Sequence, residues 1–510
     1  MRLRRFALQT LGVPAVLAAC VLSACSVGPR YHRPAAPVPA AYKESAAAAY
    51  QSSDAGTWRP ATPADAALKG AWWRIFDEPE LDSLEQQLDI NNQTIVQYFQ
   101  NFMAARAQVA EARAGLFPTL SVDPAVTRSH EAGGSSGVVA TTGASGASGA
   151  GGTTTGVTSG KGGSTFTVFS LPADVSWAPD LWGRIRNTVA EYRYAAQVSA
   201  ADLQNERLTE QASLAEYYFE LRGEDALQDI YNRTVSADQQ SLDLTRGLFE
   251  TGIDDAEDVA QAQVTLANAQ ANAVGVAATR AQYEHAIAML IGKPASDFAM
   301  PVKDLATRIP PIPLGIPSAL LQRRPDIAAA ERTMAQANAE IGIATAAYYP
   351  SLTLSGSAGF ESTTLSSLFS APSFVWSLGA SASETLFEGG LRHATVAQYR
   401  ATYNADVAAY RQTVLTAFQQ VEDGIAALRV YSHQLERQQA AVNAARQFLQ
   451  IAMVRYQTGI DPYIDVMSAQ TTLLSDQLTQ ISEQVNELTE AVQLVQALGG
   501  GWDVSQLPSG

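Results

Sequence analysis

Two long stretches of the chain lack proline and almost lack glycine, and they limit the fold more than any other feature. Arg184–Glu250 and Leu391–Gln457 have 67 residues each and contain three glycines between them. As helices they would each extend roughly 100 Å at about 1.5 Å per residue, too long for one globular core. The sequence therefore predicts helical rods that pack along neighbouring helices.

The chain is also internally duplicated. Residues 114–122 (AGLFPTLSV) match residues 346–354 (AAYYPSLTL), and residues 249–263 (FETGIDDAEDVAQAQ) match residues 456–470 (YQTGIDPYIDVMSAQ). Each copy reads helix, strand, loop, strand, long helix, turn and helix, which indicates a repeated unit. The first copy is longer because residues 132–164 are rich in Gly, Ser and Thr, a composition typical of a mobile loop.

Four segments alternate apolar and polar side chains with the two-residue period of strands. They lie at about residues 119–128, 166–177, 352–361 and 374–386. Segments of about 10 residues with one apolar face are typical of strands in a membrane barrel, although ordinary surface hairpins would give the same pattern. After the N-terminus no run of about 18 apolar residues occurs, so the sequence predicts no transmembrane helix.

The N-terminus has the features of an export signal. A basic start is followed by an apolar stretch, residues 6–22, that is too short and wrongly flanked to span a membrane. Residues 22–25 (LSAC) resemble a bacterial lipobox, which predicts that Cys25 carries a diacylglycerol and an N-acyl chain. Residues 17–20 (LAAC) match nearly as well, so Cys20 is an alternative. We prefer Cys25 because it leaves the longer apolar region.

These features predict the division of the chain. The predicted parts are a signal peptide (1–24), a lipidated N-terminal segment (25–79), a first repeat (80–314) with its hairpin tip near residue 252, a second repeat (315–498) with its tip near residue 459, and a C-terminal tail (499–510).

Charge and motifs exclude several functions. The formal net charge of −16 argues against a nucleic-acid partner, which needs clustered Lys and Arg. Two cysteines near the N-terminus and five scattered histidines predict no metal site. No GxSxG, P-loop, HExxH or CxxC pattern occurs, so we predict no catalytic residues and no enzyme. The acidic turn 254–258 lacks the twelve-residue spacing of a calcium loop.

Several stretches carry a family resemblance. They are residues 25–31 (CSVGPRY), 72–81 (WWRIFDEPEL), 180–184 (DLWGR), 387–392 (FEGGLR) and, most distinctive, 315–331 (GIPSALLQRRPDIAAAE). Over residues 22–502 the chain resembles the outer membrane factor family of TolC-like channels, and within it the NodT/OprM-type RND efflux outer-membrane lipoproteins. Pro179 and the Gly-rich insert depart from the family pattern.

The resemblance implies an α+β membrane protein. It consists of a long α-helical coiled-coil barrel in the periplasm and a transmembrane β-barrel shared by a homotrimer, with four strands from each chain. The residues alone reach part of this. Four strands cannot close a barrel, whose natural minimum is eight, and open sheet edges do not occur in lipid. At least two chains must therefore share one barrel.

The resemblance also implies the function and its partners. The chain is expected to be the passive outer-membrane exit duct of a tripartite efflux system. A periplasmic adaptor (membrane fusion) protein and an inner-membrane RND-type transporter would be its partners, beside outer-membrane lipid. An exit duct for type I protein secretion is the alternative. Drugs, metal ions and solvents all stay open as substrates.

A periplasmic gate is expected at the two Thr-Gly turns. The resemblance implies that its aperture positions are Tyr456, Asp465, Asp258 and Glu257, with Asp254, Asp255 and Asp461 nearby. Carboxylates about 6 Å apart repel by roughly 0.7–3 kcal/mol per pair, so hydrogen bonds and helix packing must hold the closed state. Two alternatives stay open: the acids only form a solvated turn, and Tyr456 is an ordinary packed aromatic at a helix end.

Overall fold

The computed structural model describes residues 27–44, 70–131, 164–252, 255–305, 312 and 317–508. The predictions for the signal peptide, Cys20, Cys25, Asp254 and most of the Gly-rich insert lie outside these residues. By their contacts the residues form two units. We call Met1–Arg33, Ala104–Ala196 and Thr333–Val407 the sheet unit, and Pro34–Met103, Gln197–Arg332 and Ala408–Gly510 the hairpin unit.

Within the described residues, seven helices have more than ten residues. They are α1 (Pro79–Asn91), α2 (Gln93–Ala114), α3 (Arg184–Glu250), α4 (Ala256–Leu290), α5 (Pro325–Ala346), α6 (Leu391–Gln457) and α7 (Tyr463–Ala497). None of these helices combines the length and the apolar composition that a helical crossing of a lipid bilayer requires.

The break between α1 and α2 corrects a prediction. The sequence pattern predicted a single helix before the first strand of each repeat, but in the first repeat Asn92 adopts an extended conformation (φ −62°, ψ 123°). The Asn92 side-chain oxygen accepts a hydrogen bond from the Ile95 N–H at 3.0 Å, and its amide nitrogen donates to the Leu290 carbonyl at 3.0 Å. Asparagine is a strong N-cap, so this residue starts a second helix.

The sheet unit contains one antiparallel sheet. Its strands are β1 (Thr119–Val122), β2 (Ala125–Glu131), β3 (Ser164–Trp177), β4 (Ser351–Ser362) and β5 (Phe374–Ser383). The order is β1-β3-β4-β5, and β2 continues β1 along the same edge of β3.

Two strands differ from the predicted ones. The first is divided at residues 123–124, because Pro124 has no N–H to offer to the ladder. Asp123 keeps the alignment by donating from its backbone N–H to the Pro172 carbonyl at 3.3 Å. The last strand ends at Ser383 rather than at residue 386, because Ser383 pairs with Ser351, the first residue of β4.

The pairing gathers the apolar residues on one face of the sheet. Directly opposite residues share a face in an antiparallel pair. Two rows run across β3, β4 and β5: Leu171, Phe360 and Phe374 form one, and Ala173, Ala358 and Trp376 form the other. Trp376 is 68% exposed and Leu378 is 81% exposed. The described part of this face is therefore apolar and uncovered in the single chain.

The main core of the hairpin unit includes the 3₁₀ helix Trp72–Phe76, whose aromatic rings are buried. The Phe76 ring lies 5.0 Å from that of Phe219 on α3. Beside this core the buried Arg222 donates to Asp225 Oδ2 at 2.8 Å and to Glu80 Oε2 at 2.6 Å. A buried charge is tolerated when it is paired in this way, and these pairs connect α1 to α3.

Candidate gate at the two helical hairpin tips

Each helical hairpin of the hairpin unit turns at a Thr-Gly pair. We call residues 249–258, between α3 and α4, tip 1, and residues 456–465, between α6 and α7, tip 2. Gly252 has φ +78° and Gly459 has φ +69°, the left-handed conformation with which glycine ends a helix. The hydroxyl of Thr251 donates to the Leu248 carbonyl at 2.9 Å, and that of Thr458 to the Arg455 carbonyl at 3.0 Å. The duplication thus preserves the turn itself.

In tip 1 the predicted acids serve first to begin a helix. The Asp255 carboxylate accepts hydrogen bonds from the backbone N–H groups of Glu257 at 2.9 Å and Asp258 at 3.1 Å. It is therefore the N-cap of α4. Glu257 and Asp258 lie in the first turn, where the helix dipole favours a negative charge. The chain has no Lys, Arg or His between Arg246 and Arg280.

In tip 2 a cation changes the expected electrostatics. Arg455 Nη2 donates to Asp461 Oδ1 at 2.8 Å. This hydrogen bond lowers the pKa of Asp461, and the same pair raises the pKa of Arg455. From the sequence, Asp461 is expected to be one more repelling carboxylate, but it forms an exposed ion pair with Arg455. Arg455, which lies four residues before Gly459, was not among the predicted gate residues.

Tyr456 is buried and makes a contact between the two hairpins. It is 3% exposed, and its hydroxyl lies 2.9 Å from Thr245 Oγ1 on α3. Thr245 already donates its own proton to the Ser241 carbonyl at 3.0 Å, so Tyr456 is the donor in the pair. The Tyr456 ring also packs 5.5 Å from that of Tyr463. Tyr456 is therefore a packed aromatic at a helix end and also a hydrogen-bond donor between the hairpins, and its role in a gate stays a prediction.

A second polar contact joins the same two hairpins. Gln470 Nε2 on α7 donates to Ser241 Oγ on α3 at 2.9 Å, and both residues are buried. Apolar side chains from all four helices surround these contacts. They are Leu242, Ala262, Leu266, Ala452, Tyr463, Val466 and Ala469.

Asp238 on α3 adds a buried charge to this region. It is 2% exposed, and burial raises its pKa from 3.8 to about 6. Burial, with smaller effects from Asp238 and Asp258, raises the pKa of Tyr463 to about 12. Asp238, Thr245 and Gln470 were all missed by the sequence analysis, since polar residues inside a long helix carry no local signal of burial.

The remaining predicted acid, Asp465, is exposed in the first turn of α7. The negative charge of Asp465 contributes to the raised pKa of Arg455. Among the described residues, no three His, Cys, Asp or Glu side chains come together in a way that could hold a metal ion. The described contacts at the two tips are therefore hydrogen bonds, an ion pair and apolar packing.

Comparison with known proteins identifies the family. The model of the family described as "Outer membrane efflux protein" matches residues 84–293 and 316–500, one match in each repeat. The chain is 32% identical over 487 residues to the antibiotic efflux pump outer membrane protein ArpC of Pseudomonas putida, covering 95% of this chain and 94% of the relative. It is 31% identical over 487 residues to the toluene efflux pump outer membrane protein TtgC of P. putida, with the same coverage.

A solved structure agrees with these relatives. The outer-membrane channel OprN superposes with a TM-score of 0.80 at 28% identity, covering 94% of this chain and 100% of OprN. The resemblance inferred from the sequence motifs is thereby confirmed at the level of the family. This chain belongs to the outer membrane efflux protein family.

Proposed function

We propose that the chain is the outer-membrane exit duct of a tripartite, RND-type efflux system, through which substrates pass passively from the periplasm to the exterior. The observation that carries the proposal is the family match in both repeats, each of which contains one helical hairpin tip. The relatives' names mention an antibiotic and toluene, so small, largely apolar molecules are the proposed substrates.

The sheet supports a shared barrel. Its outer strands, β1 with β2 on one side and β5 on the other, have no further partner among the described residues. Unpaired edges are not tolerated in lipid. Three copies would join these edges and give twelve strands, and the exposed row that includes Trp376 would then face lipid. A homotrimer in the cell outer membrane is the assembly we propose.

The N-terminus supplies a second attachment to that membrane. We propose that Cys25 carries the diacylglycerol and the N-acyl chain, because residues 22–25 have the lipobox pattern. Each buried methylene contributes about 0.8 kcal/mol, so several acyl chains hold a protein firmly. A mass spectrum of the mature N-terminus tests this, and an unmodified chain that begins at Ser26 or later would contradict it.

The hairpin tips are the proposed gate. In the closed state Tyr456 and Gln470 of the second hairpin are hydrogen-bonded to α3 of the first, while Asp255 and Glu257 of tip 1 are exposed. Opening breaks these two contacts and separates the apolar surfaces beneath them. A periplasmic adaptor that binds the hairpins and favours the separated arrangement would open the gate, and the inner-membrane transporter would deliver the substrate.

A gene deletion with plasmid complementation tests the function. We expect the deletion strain to accumulate ethidium and to become sensitive to toluene and to antibiotics, and the wild-type gene to restore both properties. Secreted proteins should be unchanged in the culture medium. Unchanged drug and solvent sensitivity, together with the loss of one secreted protein, would instead support an exit duct for type I secretion.

A further inference from the structure

The sheet unit contains an open cavity of about 590 Å³. A cavity of this size can accept a small ligand or a lipid headgroup. Three structural elements contribute to its wall: the N-terminal segment, α5 and α6. The lining side chains that matter here are Arg30, His32, Asn338, Arg400 and Tyr403.

The N-terminal segment is fixed at the rim of the cavity. The Val27 N–H donates to the Trp182 carbonyl at 3.1 Å, and Asn338 Nδ2 donates to the Pro29 carbonyl at 3.0 Å. Gly28 has φ +137°, and a Cβ there would lie only 2.7 Å from Gly342 Cα on α5. Only glycines permit this approach, so the position of Arg30 follows from tight backbone packing.

The cavity is cationic in an acidic protein. The chain has 34 Lys and Arg against 50 Asp and Glu, yet the described lining residues include two arginines and no carboxylate. Glu340 and Asp406 lie on the same two helices, and burial raises the pKa of both, but neither residue lines the cavity. Guanidinium groups bind phosphate through paired N–H donors, so this cavity suits a phosphate group.

The cavity also lies close to the chain's membrane attachments. Arg400 comes nine residues after the start of α6, and Thr345, another lining residue, comes six residues before the start of β4. Gly28 is three residues from Cys25, a span of at most about 11 Å. If the sheet crosses the outer membrane, the cavity lies on its periplasmic side, with Arg400 about 14 Å along α6 from that helix's first residue.

We infer that this cavity binds a phosphate group. The preferred source of this phosphate is the headgroup of an anionic phospholipid in the inner leaflet of the outer membrane. Arg30 and Arg400 would contact the phosphate, and Asn338 and Tyr403 would hydrogen-bond to the rest of the headgroup. The assignment to lipid rests on the proposed function, whereas free phosphate would use the same contacts without it.

Native mass spectrometry of the full-length oligomer in detergent tests the inference. Phosphatidylglycerol is titrated against diacylglycerol of the same acyl chains, with inorganic phosphate as the competitor. We expect saturable binding of one phosphatidylglycerol per chain and weak binding of diacylglycerol. Arg30→Gln with Arg400→Gln should raise the Kd at least tenfold. The matched pair Arg113→Gln with Arg411→Gln, both exposed and outside the cavity, should change it less than twofold.

The other outcomes separate the sources of phosphate. If inorganic phosphate alone binds and the cavity pair abolishes that binding, the site takes free phosphate and the lipid assignment fails. Equal binding of diacylglycerol, or equal Kd values for the two double variants, would overturn the inference. Should Arg30→Gln with Arg400→Gln fail to assemble, each single Gln variant should raise the Kd, and Arg30→Lys with Arg400→Lys should raise it less than a single Gln variant does, since lysine keeps the charge but loses the paired donors. Ethidium efflux by the wild-type gene tests the proposed function separately.

Discussion

In tip 1 Asp255 and Glu257 are exposed and the segment itself contains no cation, whereas in tip 2 two tyrosines are buried and Arg455 pairs with Asp461. The repeat makes Phe249 the counterpart of Tyr456, yet Phe249 is 46% exposed and Tyr456 is 3% exposed. The duplication kept the Thr-Gly turn while the side chains diverged. The two tips therefore differ in their contacts: tip 2 is bonded to α3 of the first hairpin through Tyr456, whereas the equivalent Phe249 of tip 1 is exposed.

The largest effect is expected when a buried aromatic side chain of tip 2 is removed. Tyr463 is fully buried, so Tyr463→Ala should remove about 3–5 kcal/mol of packing and favour separated hairpins. We expect larger single-channel conductance in planar bilayers and faster amide exchange in residues 456–470. Phe249→Ala in tip 1 is the matched control and should change both measurements little. Equal effects of the two substitutions would remove the distinction between the tips.

The next effect in size is a dependence on pH through Asp238. Its pKa is about 6 in the closed hairpins and would return toward 3.8 when opening exposes it. The closed form therefore holds the proton more tightly, and its stability falls as pH rises from about 4 to about 6 and is then constant. We expect closure to weaken by about 1–3 kcal/mol across that range, seen as rising open probability.

Asp238→Asn should abolish this pH dependence and resemble the wild-type protein at low pH. Asp243→Asn, on the exposed side of the same helix, is the control and should keep the wild-type profile. If the open probability of Asp238→Asn depends on pH as that of the wild-type protein does, a group other than Asp238 causes the pH dependence.

A smaller effect is expected for the hydrogen bond between the hairpins. Tyr456→Phe and Thr245→Val each remove one partner and should weaken closure by about 1 kcal/mol. The double variant should cost less than the sum of the two, because both substitutions break one bond. Open probabilities from single-channel records of the wild-type protein, the two single variants and the double variant give the four free energies of opening. Strict additivity would show that the two hydroxyls do not act together.

The smallest effect concerns the exposed charges. Asp258→Ala with Asp465→Ala should weaken block by multivalent cations and alter conductance modestly. Arg455→Gln should strengthen that block, since it leaves Asp461 unpaired, and raising the salt concentration should reduce both differences. Unchanged cation block in the double alanine variant would mean that the acids are only a solvated turn, as one interpretation of the sequence allowed.

The sequence was most informative where the physical signal is local or periodic. The absence of proline predicted α3 and α6 with both ends correct, and alternation predicted the apolar face that the strand pairing confirms. The Thr-Gly turns were predictable because glycine is needed for a positive φ. The break at Asn92 was not, since asparagine caps a helix only when the chain around it permits.

Side-chain partners in the gate were harder to predict for a similar reason. The resemblance pointed to Tyr456 and Asp465 as gate positions, a role that stays a prediction, but Thr245, 211 residues from Tyr456, is an ordinary threonine in a helix until the second hairpin packs on it. The same holds for Arg324, whose Nη1 donates to the Ala497 carbonyl at 2.9 Å and ties the most distinctive motif to the end of α7. Such contacts depend on which helices become neighbours, which no local pattern specifies.

The central claim is that contacts of tip 2 with the first hairpin hold the channel closed. Single-channel conductance of Tyr456→Ala beside its repeat counterpart Phe249→Ala, in the same bilayers at pH 7, tests it most directly. The account predicts frequent large openings for Tyr456→Ala and a closed, wild-type-like record for Phe249→Ala. A closed record for Tyr456→Ala, or openings of the same frequency in both variants, would contradict it.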